Sequence, residues 1–297
     1  MNPKYPIFIL SKGRWESRLT SKALEEKGVP YRIVVEPSEY DKYASVIDRA
    51  KIIRTPEDFS VLGQGSIPVR NFIWDFSTNE GWARHWLIDD NIVNFYRLNL
   101  NRRIPVGSGT VFRCAEDFTE RYENVAFSGL NNIAFAPDRS ERIAPFTLNT
   151  RIYSITLINN KIPYRWRGRY NEDTDICLRA LKDGWCTIQF NAFLADKATT
   201  MKMKGGNTDT VYNTGDQRRA FAESLTSQHP DVAKVVWKFD RWHHSVDYSP
   251  FARNKLIPVA NGEEIQSGVN DYGMRLIVVG ADALLIAKHG ATQGERQ

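Results

Sequence analysis

PIFIL at residues 6–10, ESRLTSKALEEK at 16–27 and YRIVV at 31–35 decide the fold. The first is a continuous apolar run with no polar alternation, which is how a strand buried on both faces reads. It ends in the polar loop Ser11-Lys12-Gly13-Arg14. In the second, Leu19, Ala23 and Leu24 recur at helical spacing and Gly28 follows as a C-terminal stop. The third is another short apolar run, closed by Glu36-Pro37. Strand, helix and strand within about thirty residues form a βαβ unit, so this part of the sheet is expected to be parallel and covered on both faces. Working outward, Ile67 to Glu80 reads as a helix and Ala83–Asp89 (ARHWLID) as a third buried strand. Beyond these come a short helix at Ala115–Arg121 and a strand at Val125–Gly129. A further strand follows at Arg151–Asn159, then an amphipathic helix at Asp173–Asp183 and two strand pieces, Thr187–Phe190 and Phe193–Ala195. No repeat or low-complexity segment interrupts this α/β pattern.

With 297 residues, 42% hydrophobic and 25% charged, the chain has room for a sizeable core and the composition of a globular protein. Collagen-like, coiled-coil and disordered classes are excluded. The longest apolar stretches, such as Arg275–Ile286, fall short of the ~18 residues of a membrane span. The first residues carry no apolar signal core, so the expected location is cytoplasmic. Three cysteines, Cys114, Cys177 and Cys186, show no paired spacing and read as thiols rather than a disulfide frame or zinc site. The net charge of +5 is unevenly spread: residues 257–297 hold five acidic and three basic side chains, leaving +7 on residues 1–256. All eight tryptophans also lie in 1–256. Residues 257–297 therefore read as an appended tail, with a hairpin around Met274–Ile286, beside the main domain at 1–256.

In open α/β sheets ligands bind outside the carboxyl ends of the strands. Three segments converge there: Ser11–Arg14, Glu36–Pro37 and Asp89-Asp90-Asn91. Two carboxylates and an amide after an apolar strand offer hard oxygen ligands to Mg²⁺ or Mn²⁺. Alone, such a tripeptide more often just turns the chain. The preceding strand and the upstream Gln64-Gly65-Ser66-Ile67-Pro68-Val69-Arg70 favour the ligand reading, since a helix start and an arginine can receive a diphosphate. Neither a Walker A loop nor GxGxxG is present.

A second cluster, Tyr164-Arg165-Trp166-Arg167-Gly168-Arg169-Tyr170, precedes Glu172-Asp173 at a helix start. The acids there are either N-terminal capping groups or a general base held on a rigid element. Interleaved basic and aromatic residues suit a polyanion or sugar rim. Lys202–Thr208 (KMKGGNT) could wrap phosphate. Trp237-Lys238-Phe239-Asp240-Arg241-Trp242-His243-His244 is basic and aromatic again. Its tryptophans are expected to anchor the core, and at most one of the adjacent histidines could be a ligand.

Taken together and in order, PIFILSKGRWESRLTSKALEEKGVPYRIVVEPSEYDKY, GQGSIPVRNFIWD, HWLIDDNI, YRWRGRYNEDTDICLRALKDGWCT and MKMKGGNT resemble the TET/JBP-associated glycosyltransferase family over about residues 5–256. The resemblance implies a glycosyltransferase A-type α/β fold. A Rossmann-like nucleotide-sugar half (1–110) and an acceptor half (111–256) would share one mixed central sheet. It also implies sugar transfer, glucose being the first candidate, from a UDP-sugar to the hydroxymethyl group of 5-hydroxymethylcytosine in DNA. Such enzymes are largely phage-encoded and would work in the cytoplasm of an infected host. By the same resemblance, Asp173 is the base and Glu172 holds acceptor or sugar hydroxyls. Ser11, Lys12, Arg14, Glu36, Gln64, Arg70, Asp89 and Lys204 hold the nucleotide-sugar. Asp90, with Asp89, His243 and His244, holds the metal, although Asn91 replaces the usual third acid. Arg165, Trp166, Arg167, Arg169, Lys238 and Arg241 face DNA. No membrane or protein partner is read. A transferase acting on a glycan, protein or small molecule, a nucleotidyltransferase, and a silent nucleic-acid-binding module remain as alternatives.

Overall fold

The computed structural model describes residues 1–99, 102–136, 143–198 and 217–260. The expected hairpin at 274–286 and the Lys202–Thr208 loop, with Lys204, lie outside the described residues. Met1–Pro258 forms one compact unit and Val259–Gln297 another.

The opening βαβ unit is present. Strand β1 (Ile7–Leu10) pairs in parallel with β2 (Arg32–Val35), and helix α1 (Leu19–Glu26) crosses between them. The helix starts three residues later than its periodicity predicts, because Arg18 sits in the left-handed region (φ 30°) and breaks the pattern. A short helix α2 (Tyr40–Ala44) leads to β3 (Ile52–Arg54), parallel to β2, and α3 (Ile67–Asn79) leads to β4 (Arg84–Asp89), parallel to β1.

The rest of the sheet departs from parallel order. It comprises β5 (Ile92–Asn99), β6 (Arg102–Pro105), β7 (Val125–Asn132), β8 (Phe146–Leu148), β9 (Ile155–Asn159) and β10 (Cys186–Lys197). The order is β3-β2-β1-β4-β9-β7-β10-β5-β6, with β8 on β10, making ten strands in all. Strand β9 runs antiparallel to both β4 and β7, β10 runs parallel to β7, and β5 runs antiparallel to β10. The two strand pieces expected at 187–195 are one strand whose register shifts between Phe190 and Leu194. Conversely, the strand expected from Arg151 begins only at Ile155, and residues 151–154 are irregular.

Helices α4 (Thr110–Thr119) and α5 (Glu172–Lys182) cover opposite faces of the sheet. The period-two geometry of strands explains the unbroken apolar runs. Ile7 and Ile9 of β1, with Trp86 and Ile88 of β4, enter the core layer under α1 and α4, while Phe8 and Leu87 enter the layer under α3 and α5. The sheet is closely packed at Gly129, where an added Cβ would lie 2.2 Å from the Ile155 carbonyl oxygen. Helix α6 (Arg218–Gln228) packs on a separate hairpin of β11 (Ala233–Lys238) and β12 (Arg241–Val246). Trp237 is 55% exposed on that hairpin, so the expected core anchoring by Trp237 and Trp242 is not found. The two rings contact each other edge to face instead. Among the described residues no helix is long and apolar enough to cross a membrane. Cys177 and Cys186 are buried, Cys114 is partly buried, and all three are free thiols.

Candidate active site

A cavity of about 420 Å³ opens at the carboxyl ends of β1, β2 and β4. The initial turns of α3 and α5, the end of β10 and the 151–154 segment complete its wall. Ser11, Lys12, Arg14, Glu36, Arg70, Asp89, Asp90, Arg169, Glu172, Asp173 and His244 all line it, so residues 233 positions apart in sequence meet there. Gly63 and Gly65 also line it, and both have positive φ (64° and 63°), which lets the turn before α3 pass close over the cavity. Gln64 between them is exposed and does not line the cavity, a correction to its expected nucleotide-sugar role.

The adjacent acids Asp89 and Asp90 diverge. Asp90 is 7% exposed, accepts from Ser11 Oγ at 2.7 Å and forms a short ion pair with Arg14. Ser11 Oγ also lies 2.6 Å from the Tyr43 hydroxyl, which accepts from the Arg14 backbone N–H at 3.1 Å. Burial pushes the Asp90 carboxyl above its ordinary pKa despite Arg14 and Ser11. Asp89 lines the cavity with a different set of partners. Lys197 Nζ donates to its Oδ2 at 2.8 Å and Arg70 lies 3.4 Å from its Oδ1. Burial opposes its ionisation, but Lys197 and Arg70 outweigh that and hold it below the ordinary range. Arg70 also lies 3.7 Å from Glu172 and 3.6 Å from Asp173. These carboxylates more than offset the burial that would otherwise discharge it.

Asn91 has a separate part. Its Nδ2 donates to the Ala198 carbonyl at 3.1 Å and its own carbonyl accepts from Ala198 N–H at 2.9 Å, which fixes the end of β10 and so the base of Lys197. Ser154 Oγ holds the Lys197 ammonium from the other side at 2.7 Å. Ser154 adopts a left-handed backbone (φ 65°), a strain of the sort that collects at functional sites.

Asp173 differs from its neighbours. Its Oδ1 is buried and accepts no hydrogen bond among the described residues. Burial pushes its carboxyl up to about 7, against the pull of Arg70 and with the help of Glu172 and Asp89. Glu172 accepts from Ser66 Oγ at 3.3 Å. Tyr153, beside them in the wall, has a buried hydroxyl without a hydrogen-bond partner among the described residues.

The second cluster divides by side. Trp166 is 3% exposed and packs on Trp74 and Phe127, with Arg70 over its ring at 4.9 Å. Its expected contact with DNA is therefore corrected: Trp166 is core and supports Arg70 from behind. Arg165 pairs with Asp75 and Arg167 with Asp175, both on the surface side. Alternation of Tyr164 and Trp166 against Arg165 and Arg167 is the signal for this division. The adjacent histidines also separate. His244 reaches the cavity wall, 3.4 Å from Arg151, and burial with Arg151 lowers its pKa to about 4. His243 accepts from Arg241 Nε at 3.0 Å and does not line the cavity. Lys238 and Arg241 are exposed on the hairpin.

Among the described residues no three His, Cys, Asp or Glu side chains cluster to hold a metal. The expected four-residue ligand set of Asp89, Asp90, His243 and His244 is thus not assembled, because Asp90 is committed to Arg14 and His243 lies outside the cavity. Oxygen donors of the right hardness do line it: Asp89, and Asn91, whose Oδ1 is buried without a hydrogen-bond partner among the described residues. Lys197, Ser154, Tyr43, Arg151 and Tyr153 were not foreseen. Each reaches the cavity or its nearest residues through the folding of distant segments, and none stands in a motif.

Fold and cavity together define an α/β protein with a highly charged cavity at the carboxyl ends of its parallel strands, the place where nucleotides are held in open α/β sheets. A sequence profile of the TET-Associated Glycosyltransferase family matches residues 5–206, and the chain belongs to that family. It is a glycosyltransferase by that membership. A search of curated proteins finds no match. Two solved structures share weak similarity. The mannose-1-phosphate geranyltransferase from Thermus thermophilus has 12% identity and a TM-score of 0.31, over 76% of this chain and 62% of that one. The mannose-6-phosphate isomerase from Helicobacter pylori has 8% identity and a TM-score of 0.29, over 87% of this chain and 95% of that one. The chain thus spans about three-fifths of the first of these.

Proposed function

We propose that the protein transfers a sugar, glucose being the first candidate, from a UDP-sugar to the hydroxymethyl group of 5-hydroxymethylcytosine in DNA. The observation that carries this reading is Asp173 Oδ1, which lies 3.6 Å from Arg70 but accepts no hydrogen bond among the described residues, whereas Asp89, Asp90, Glu36 and Glu172 each accept one. Six basic and five acidic side chains line that cavity, a balance suited to an anionic ligand.

The donor's uridine lies against Ser11, Lys12, Arg14 and Glu36. Its diphosphate lies toward Arg70 and Lys197, whose charges are fixed before the ligand arrives and need no rearrangement as negative charge develops. Mg²⁺ or Mn²⁺ would be held by Asp89 and Asn91 Oδ1 together with the diphosphate, adding positive charge beside the leaving group. Asp173, poised near neutral pH, accepts the proton of the acceptor hydroxyl as that oxygen forms its bond to the sugar C1. The bond from C1 to the diphosphate oxygen breaks and UDP departs with the electron pair. A single displacement of this kind inverts the anomeric centre. Glu172 orients hydroxyls, and Arg165, Arg167, Arg169, Lys238 and Arg241 attract the DNA backbone.

The test is a mass-spectrometric digest of 5-hydroxymethylcytosine DNA after incubation with the protein, Mn²⁺ or Mg²⁺ and a panel of UDP-sugars. A hexose-sized gain on the modified nucleoside supports the reading. UDP release into water without that gain moves the acceptor elsewhere, to a glycan, protein or small molecule.

A further inference from the structure

Phe239 is 84% exposed, the largest exposure among the large hydrophobic side chains of the described residues. It forms, with Asp240, the two-residue loop between β11 and β12, and both residues have positive φ (53° and 56°). That is the backbone of a type I′ turn, for which Asn-Gly is the favoured sequence and a bulky aromatic is disfavoured. The position thus combines an unfavourable side chain for the backbone with an unfavourable side chain for water. Lys238 and Arg241 stand directly opposite each other at the base of the loop. Trp237 and Trp242 form the next rung, with Arg219 of α6 over Trp242 at 5.1 Å. Lys234 continues the basic edge. An exposed ring beside the single Asp240 carboxylate, flanked by Lys238, Arg241 and Lys234, leaves the hairpin end net basic and complementary to nucleic acid: the cations meet phosphates and the ring enters between bases.

The same hairpin reaches the cavity. His244 on β12 lies in its wall against Arg151, five residues from Phe239, or about 16 Å along an extended strand. That span is about half a helical turn of duplex. A buried oxygen such as Asp173 Oδ1 can meet a hydroxymethyl group only if the nucleotide carrying it enters the cavity, which for a paired base means leaving the stack. Apolar wedges are the usual means of holding a stack open.

We propose that the β11–β12 hairpin is a duplex-DNA wedge: Phe239 inserts between base pairs, Lys238 and Arg241 grip the flanking phosphates, and the target nucleotide is displaced toward Asp173. The proposal rests on the acceptor reading above, but its DNA contact can be measured without sugar transfer.

The experiment compares wild type, Phe239→Ala and Phe239→Leu on duplex DNA with one 5-hydroxymethylcytosine, and on the same strand unpaired. A 2-aminopurine beside the target reports unstacking in the absence of any sugar donor. The expected result is a rise in 2-aminopurine fluorescence with wild type and the Leu variant, and none with the Ala variant. Transfer to the duplex by Phe239→Ala is expected to fall about tenfold or more, with transfer to the single strand nearly unchanged. Equal loss on both substrates, or no loss on either, overturns the wedge. If wild type glycosylates no DNA yet unstacks the duplex through Phe239, the wedge stands and the acceptor reading falls. If it neither unstacks nor glycosylates duplex DNA, the wedge falls regardless of donor chemistry.

Discussion

Replacing Asp173 by Asn should make the protein more stable and far less active. The carboxyl sits in a wall where its Oδ1 has no hydrogen-bond partner among the described residues, and burial raises its pKa to about 7. An unfolded Asp titrates near 3.9. Between roughly pH 4 and pH 7 the folded state holds a proton that the unfolded state has released, so stability falls as pH rises through that window and is flat above it. The cost of keeping this group ionised at pH 8 is on the order of 4 kcal/mol. Asn has nearly the same shape and no charge, and Arg70 retains Asp89 and Glu172 as partners. The variant should therefore melt about 5–10 °C higher than wild type at pH 8. The gain should shrink on acidification and vanish by about pH 4. Transfer should fall by about 10²–10⁴-fold, the usual worth of a general base, while UDP binding stays unchanged. In wild type, kcat should rise with pH through about 7 as the base loses its proton. Differential scanning calorimetry across pH, with donor turnover on the same samples, gives both readouts. A variant that is less stable at pH 8, or one that still turns over near the wild-type rate, would refute the assignment of Asp173 as a buried base.

Other substitutions in and around the cavity separate its parts. Lys197→Met removes the ammonium that holds Asp89, and calorimetric titration should show UDP affinity reduced by roughly 10- to 100-fold, the worth of one charge-assisted hydrogen bond. Asp89→Asn should abolish the Mn²⁺-dependent part of UDP binding and cost less stability than Asp90→Ala, since its amide oxygen still accepts from Lys197 and the pair is less buried. Asp90→Ala should instead destabilise by about 3–5 kcal/mol, because Arg14 loses its buried partner, and thermal melts distinguish the two. Trp166→Ala should cost about 3–5 kcal/mol of stability. In the Trp166 variant, the slope of DNA affinity against salt should be unaltered, since the ring is buried away from solvent. The Phe239 substitutions described above should divide duplex from single-stranded acceptors.

The legibility of these features tracks the distance over which the physics acts. β1, β2 and β4 are readable because burial on both faces leaves a local mark, an unbroken apolar run. Strands β5, β6 and β8 are partly exposed, which blurs their periodicity, while β7 and β9 are buried and read as apolar runs whose antiparallel pairing leaves no local mark. Lys197 is not readable, since it is 108 residues from Asp89 and its neighbourhood carries no motif. The pairing of β10 with β5, the clamp from Asn91 to Ala198 and the Ser154 hydroxyl put it in place. Trp166 misleads for a different reason: composition records that aromatics and cations interleave but not which side each takes. Its period-two alternation with Arg165 and Arg167 holds that information and outweighs the composition.

The acids at the start of α5 illustrate how structure weighs on readings that sequence leaves level. Capping would require a carboxylate to accept the helix's first N–H groups. Asn171 is the N-cap residue and makes no side-chain capping bond. Asp175, one turn in, is taken by Arg167, Arg179 and His229. Asp173 offers no capping bond from its buried Oδ1, which accepts from nothing among the described residues. The helix dipole eases the charge there by only about 0.3–1 kcal/mol, too little to offset its burial. A carboxylate kept in that position at a net cost to folding, beside a fixed guanidinium and facing a ligand-sized cavity, suits the proton transfer proposed above and is not explained by helix stability.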